Sequence, residues 1–263
     1  MRAALITGGT SGIGLAFART LARKGHPLIL VARDPERLAA VAADLGTAFG
    51  VGVETLVADL SVRHDVDRVA ARLRAGDIDF LVNNAGFSLK TPLVGGDDDL
   101  ADRAYEAMGR TPRVLAAAVA PAMVERGSGT IITVASVSAL TRQDSYSALK
   151  AYTLAVSEVL AGELAGTGVT VTAVLPGWVR TAFHSHGGTK RSKVPAVLWL
   201  SPDQIATEAL RDAARGRVVS VPSMRYKILA TVLRLLPGGL MRSLSSKISG
   251  RRGARPAVEG DRA

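Results

Sequence analysis

Tyr146-Ser147-Ala148-Leu149-Lys150 sets a phenol and an ammonium four residues apart. On a helix these side chains share one face. A free phenol, with a pKa near 10, is a poor base at neutral pH, and a fixed cation beside it favours the phenolate. Lowering that pKa by three units takes about 4 kcal/mol of differential stabilisation. A partly desolvated ammonium and a second positive charge nearby could supply it together. The Y-x-x-x-K spacing alone arises by chance on helical surfaces. It gains weight from Ser136, ten residues earlier, just past the apolar run Ile131-Ile132-Thr133-Val134. A hydroxyl there can donate to a substrate oxygen as charge develops on it. Ser138 is the rival for that role, and either serine could instead satisfy local backbone at a turn.

Thr7-Gly8-Gly9-Thr10-Ser11-Gly12-Ile13-Gly14 follows a short apolar run and precedes a helical pattern. A dinucleotide needs its pyrophosphate close to the backbone amides of a helix N-terminus, and glycines allow the tight turn and the approach. The spacing is G-x-x-x-G-x-G, and the strand–turn–helix context argues against an ordinary glycine-rich loop. The second apolar run ends at Val31-Ala32-Arg33-Asp34. A carboxylate at that tip would hold an adenosine ribose and repel a 2′-phosphate, whereas a guanidinium would pair with the phosphate. Arg33 therefore favours NADP(H) over NAD(H), with Thr10 or Ser11 adding a hydroxyl. The opposing reading leaves Arg33 solvated and makes Asp34 a helix cap.

The elements that must position these residues alternate along the chain. Apolar runs at Ala3–Ile6, Leu28–Ala32, Val53–Val57, Phe80–Val82, Thr130–Val134, Val169–Leu175 and Val218–Val221 lack clean polar alternation, as strands buried on both faces should. Helical spacing separates them at Ile13–Leu21, Pro35–Leu45 and about 63–74, 98–126, 145–166 and 202–214. The expectation is one α/β domain over 1–224, a doubly wound parallel sheet of about seven strands with helices on both faces, of Rossmann type.

At these positions the sequence resembles the short-chain dehydrogenase/reductase family in its single-domain form, from about Leu5 to Thr181. The resemblance implies that Gly8, Thr10, Ser11, Gly12, Ile13 and Gly14 form the cofactor turn. Asp59 and Leu60 would contact the adenine, and Asn83, Ala85 and Gly86 of Asn83-Asn84-Ala85-Gly86 would pass beside the cofactor. Ser136, Tyr146 and Lys150 would be the catalytic serine, tyrosine and lysine, the last two also facing the cofactor. Pro176, Gly177, Val179 and Thr181 of Pro176-Gly177-Trp178-Val179-Arg180-Thr181 would form the nicotinamide side and open a substrate loop over about 182–200. The implied reaction is hydride transfer between the nicotinamide and a carbonyl or alcohol. Tyr146 exchanges the proton, Ser136 holds the oxygen, and Lys150 binds the ribose. Two departures stand out. The loop Ala139–Ser145 is short, and Met108 stands four residues before Pro112, where the family usually has an asparagine. Methionine cannot hold a water as asparagine does, so a rerouted proton exchange is expected. Met108 also keeps a second reading open, a nucleotide-binding regulator or scaffold on the same fold.

The 263 residues contain no cysteine, which excludes disulfides, thiolate catalysis and cysteine-based metal sites. The chain enters its first apolar run directly, so no secretory signal is expected, and no stretch approaches the roughly 20 apolar residues of a spanning helix. A cytoplasmic location follows as the expectation. From Arg225 onward nine Lys or Arg face two acids, so +7 of the net charge of +10 lies in that segment. Residues 225–248 read as an apolar, basic helical segment that could lie on an anionic membrane, cover a subunit interface or fold back, and 249–263 read as disordered. No nucleic-acid motif organises the charge. Ala182–Leu200, with Phe183, Val194, Val197, Leu198, Trp199 and Trp178 nearby, suits a lipophilic substrate. His184 and His186 lack further ligands, so no metal is expected, and Asp97-Asp98-Asp99 reads as charge at a helix N-terminus. By analogy with the family, the helices over 98–126 and 145–166 imply a homodimer or homotetramer.

Overall fold

The computed structural model describes residues 1–89, 91–141, 143–180 and 195–235. Thr181, the stretch to Val194 with Phe183, His184 and His186, and the tail from 236 lie outside the described residues. Strands β1 (Ala3–Thr7), β2 (Leu28–Ala32), β3 (Val53–Val57), β4 (Ile78–Asn83), β5 (Gly129–Val134) and β6 (Val169–Val174) run parallel. A short pair, β7 (Trp178–Val179) and β8 (Trp199–Leu200), stands apart, and β9 (Val219–Ser220) closes the main sheet. The order is β3-β2-β1-β4-β5-β6-β9. It reverses direction between β1 and β4, the point at which such sheets open a crevice beyond their carboxyl ends.

Helices α1 (Gly12–Arg23), α2 (Pro35–Phe49) and α7 (Pro202–Ala213) cover one face. On the other lie α3 (Arg63–Leu73), α5 (Thr111–Glu125) and α6 (Ser145–Glu163). Leu5, Ile6, Leu30, Val82 and Ile131 are sealed between these layers, which is why the strands carry apolar residues on both faces. β3 departs from that expectation. It is the sheet edge, and its Glu54, Thr55 and Val57 are exposed.

The stretch read as one helix over 98–126 is three pieces. α4 (Asp98–Tyr105) begins at Asp97, whose carboxylate caps it by accepting the Leu100 N–H at 2.9 Å. A π turn over Glu106–Arg110 follows, and then α5. The cause is Pro112. It has no N–H to give the carbonyl four residues back, that of Met108, and its ring crowds that turn. The Thr111 N–H instead reaches the Glu106 carbonyl. Pro35 and Pro202 sit at helix starts, where no such bond is lost. The last described element is α8 (Met224–Leu235).

Candidate active site

The turn after β1 is shaped by glycines. Gly8 and Gly12 have φ of +65° and +52°, a region that side chains with a Cβ avoid. Gly14 is buried where a methyl group would overlap the Gly8 carbonyl. Ser11 occupies the N-cap of α1, yet its hydroxyl makes no capping bond. The first-turn amides of a helix have no intrahelical acceptor, so Gly12, Ile13 and Gly14 present donors at its positive end. Together they form the kind of cradle a pyrophosphate requires. Asn84 fixes the turn to the strand beside it. Its amide donates to the carbonyls of Thr7 and Gly8 at 3.0 and 3.2 Å, and the Thr7 hydroxyl accepts the N–H groups of Asn84 and Ala85. Asn83, by contrast, spends its amide on the Pro112 carbonyl at 3.1 Å. Sequence reasoning placed Asn83 at the cofactor and passed over Asn84, although both stand in the same quoted motif.

Arg33 is exposed just past β2. Asp34 caps α2, accepting the Arg37 N–H at 3.0 Å. Asp59 and Leu60 follow β3. Burial pushes the Asp59 carboxyl up, but the N–H and hydroxyl of Ser61, with Arg33 and Arg103 nearby, outweigh it and hold the group below the usual carboxylate range. A cleft of about 330 Å³ runs from Ser11 and Gly12 past Arg19, Arg37 and Arg180 to Asp203. Arg37, one turn into α2, lines it too, and the reading of strand tips alone missed that residue.

Ser136 lies two residues beyond β5, at the N-cap of a short 3-10 turn over Val137–Leu140. Its hydroxyl accepts the Ser138 N–H at 3.1 Å and is close enough to the Tyr146 phenol to favour its ionised form. The Ser138 hydroxyl is turned into the protein, buried without a hydrogen-bond partner. Geometry thus separates the two serines that the sequence left as rivals. Tyr146 owes its place to the start of α6. Asp144 and Ser147 form a reciprocal capping box, the Ser147 hydroxyl accepts the N–H groups of Gln143 and Asp144, and Ser145 donates to the Thr91 carbonyl at 2.6 Å. Lys150 follows one turn on. It is only 5% exposed, its ammonium donates to the Val134 carbonyl at 2.9 Å, and it lies 5.7 Å from the centre of the Tyr146 ring. Burial pulls Lys150 down to about 8. It pushes the Tyr146 phenol up, and the Asp144 charge acts in the same direction against the Ser136 hydroxyl. The chain's own groups therefore favour the protonated phenol, the reverse of the shift expected from the Y-x-x-x-K spacing.

Tyr146 packs on an apolar cluster of Leu89, Ala104, Ala107, Met108 and Leu149, with Phe87 and Leu100 beside it. Met108 sits in the π turn, and its carbonyl, orphaned by Pro112, accepts the Thr153 hydroxyl at 3.0 Å. Beyond β6, Gly177 leaves room for the Tyr226 ring from α8, which any side chain at that position would strike. The Tyr226 hydroxyl accepts the Trp178 N–H at 3.0 Å and donates to the Leu198 carbonyl at 2.8 Å. A residue from the C-terminal helix thus ties β7 to the turn before β8. No local sequence signal marks it, since the two sites are 48 residues apart.

All of these groups except the undescribed Thr181 gather at the carboxyl edge of the sheet, and this arrangement defines a nicotinamide-dependent oxidoreductase on a Rossmann-type fold. The family model for short chain dehydrogenase matches residues 2–191. The chain belongs to the short-chain dehydrogenase/reductase family, whose members act between alcohol and carbonyl with a nicotinamide cofactor. A solved short-chain dehydrogenase from Sphingobium yanoikuyae, in complex with NADPH, is 35% identical, with a TM-score of 0.82 and 100% of both chains covered. The bulky-bulky ketone specific alcohol dehydrogenase from Comamonas testosteroni is 30% identical, with a TM-score of 0.76, covering 98% of this chain and 96% of that one. The very-long-chain 3-oxoacyl-CoA reductase of Bos taurus is 29% identical over 247 residues, 90% of this chain and 76% of that protein.

Proposed function

We propose that this protein reduces a lipophilic ketone with NADPH, with Tyr146 as the proton donor. The observation that carries the reading is the Ser136–Tyr146–Lys150 arrangement. The phenol lies beside Ser136 against an apolar cluster, and a buried ammonium sits one helical turn behind it. When bound, reduced nicotinamide supplies the hydride. The glycine turn from Gly8 to Gly14 would hold the pyrophosphate, and Lys150 the nicotinamide ribose. Asp59, Leu60, Ala85 and Gly86 would line the adenine side, and Pro176, Gly177 and Val179 the nicotinamide side. Ser136 would hold the substrate oxygen, and Tyr146 would give it a proton from the phenol oxygen. The phenol is protonated before the reaction, as the reductive direction requires, and a bound nicotinamide with Lys150 would have to lower its pKa for the proton to leave readily.

Arg33 supports NADP(H) over NAD(H). The carboxylate that could have opposed a 2′-phosphate, Asp34, is engaged as a helix cap, and Arg37 adds a guanidinium to the cleft beside Ser11 and Gly12. The apolar wall of Phe87, Leu89, Leu100, Met108 and Leu149 supports a lipophilic substrate. Names of similar proteins point the same way, one specific for bulky ketones and one acting on very long acyl chains.

The test is Tyr146→Phe, assayed with NADPH and a series of alkyl and aryl ketones. The expected result is a fall in kcat of about a thousandfold with NADPH affinity unchanged within about twofold. Retained turnover in the phenylalanine variant would sink the assignment.

A further inference from the structure

We propose that the exposed face of α8 docks on an anionic lipid surface. One side of this 12-residue helix belongs to the fold. Tyr226 and Ala230 are buried, and Arg225 donates to the Val197 carbonyl at 2.6 Å. A helix that merely packs on a domain turns polar residues outward. This one turns outward Met224, Ile228, Val232 and Leu235, spaced four, four and three residues apart along one stripe, with Leu229 beside them. Ile228 and Leu235 are 61% and 78% exposed.

The charge around the stripe selects the occupant. Lys227 and Arg234 flank it on one side and Arg225 on the other, and residues 224–235 contain no acid. The chain that continues from 236 to 263 adds six Lys or Arg against two acids. An apolar stripe edged with cations gains both from burial among acyl chains and from attraction to anionic headgroups. A second copy of the same helix would bring Lys227 and Arg234 against their own kind. Among the described residues no helix is long and apolar enough to cross a membrane.

Docking there would also place the candidate active site. Through Tyr226 and Arg225, α8 is bonded to Trp178, just before the expected substrate loop, and to Val197 and Leu198 at its C-terminal end. A lipid-docked helix therefore keeps those segments close to the bilayer, from which a lipophilic ketone can enter. This last step rests on the proposed reaction, whereas the docking itself does not.

The experiment mixes the full chain with vesicles of phosphatidylcholine alone or with added phosphatidylglycerol and measures the floated fraction. Partition to the anionic vesicles is expected to be at least about tenfold stronger and to weaken with added salt. Ile228→Asp with Val232→Asp, and separately Lys227→Glu with Arg234→Glu, should each lower it about tenfold with the melting temperature unchanged. The proposal is overturned if the wild-type chain stays in solution, or if the aspartate variant floats equally well. It is also overturned if the wild type is a dimer that the aspartate variant converts to monomer, because a second copy then covers the stripe. Turnover of a water-soluble ketone without vesicles reports on the reaction alone, so either reading can fail without the other.

Discussion

The glycine turn and the Tyr146 pocket sit at the same edge of the sheet, yet they are made of different materials. From Gly8 to Gly14 the chain works with backbone: two positive φ values, one glycine pressed on a carbonyl, and amides left free by the start of α1. Around Tyr146 it works with side chains whose positions come from distant elements. Ser136 follows β5, Lys150 is anchored on β5 from α6, and the apolar wall arrives from α4 and the π turn. A backbone cradle fails sterically when a side chain is added. A side-chain pocket keeps its shape when one member is changed and fails in its charge balance.

Three changes would break or sharpen that contrast. The largest effect is expected at the turn. Gly14→Ala should lower unfolding stability by about 4 kcal/mol, beyond the ordinary cost of overpacking because the obstacle is the Gly8 carbonyl and not a movable side chain. Denaturant titration measures it, and a loss below about 1 kcal/mol would mean that the turn yields as a pocket does.

Next comes the pocket. Lys150 is depressed to about 8 by burial. At pH 7 it is charged in both folded and unfolded chains, so the folded state bears the full burial cost. Above about pH 8 the folded lysine loses its proton before the unfolded one does, and the cost fades until the ordinary value of 10.5 is passed. The stability of the wild type relative to Lys150→Met should therefore rise by about 3 kcal/mol between those limits. A flat difference across that range would show that the ammonium is solvated. The smallest effect belongs to the cofactor rim. Arg33→Ala should weaken NADPH about tenfold and leave NADH within about twofold in fluorescence titrations. Equal losses would mean that Arg33 meets no 2′-phosphate.

Much of the frame was legible because it depends on local or periodic signals. Buried parallel strands need apolar residues on both faces, which made β1, β2, β4, β5 and β6 readable as uninterrupted runs. The exposed residues of β3 were not anticipated, because whether a strand is central or an edge depends on which neighbours the topology supplies. The helix break at Met108 had a local cause in Pro112, yet the period of its apolar residues ran on through it. The partner for the freed carbonyl, Thr153, came from another helix. The direction in which the chain's own groups push Tyr146 was not legible for a similar reason. Spacing places Tyr146 near Lys150, but whether a phenol is pushed up or down depends on how much water the surrounding elements exclude.

By itself, the sequence determined the parallel α/β frame, the glycine turn and the Ser–Tyr–Lys set, because each is specified by residues near one another in the chain or by a repeating pattern. Only the tertiary structure decided which serine faces Tyr146, that Asn84 and not Asn83 pins the turn, and that Tyr226 clamps the segments around Trp178 and Leu198. Those outcomes depend on hydrogen bonds between residues far apart in the chain, and their geometry exists only once the sheet has brought its carboxyl ends together.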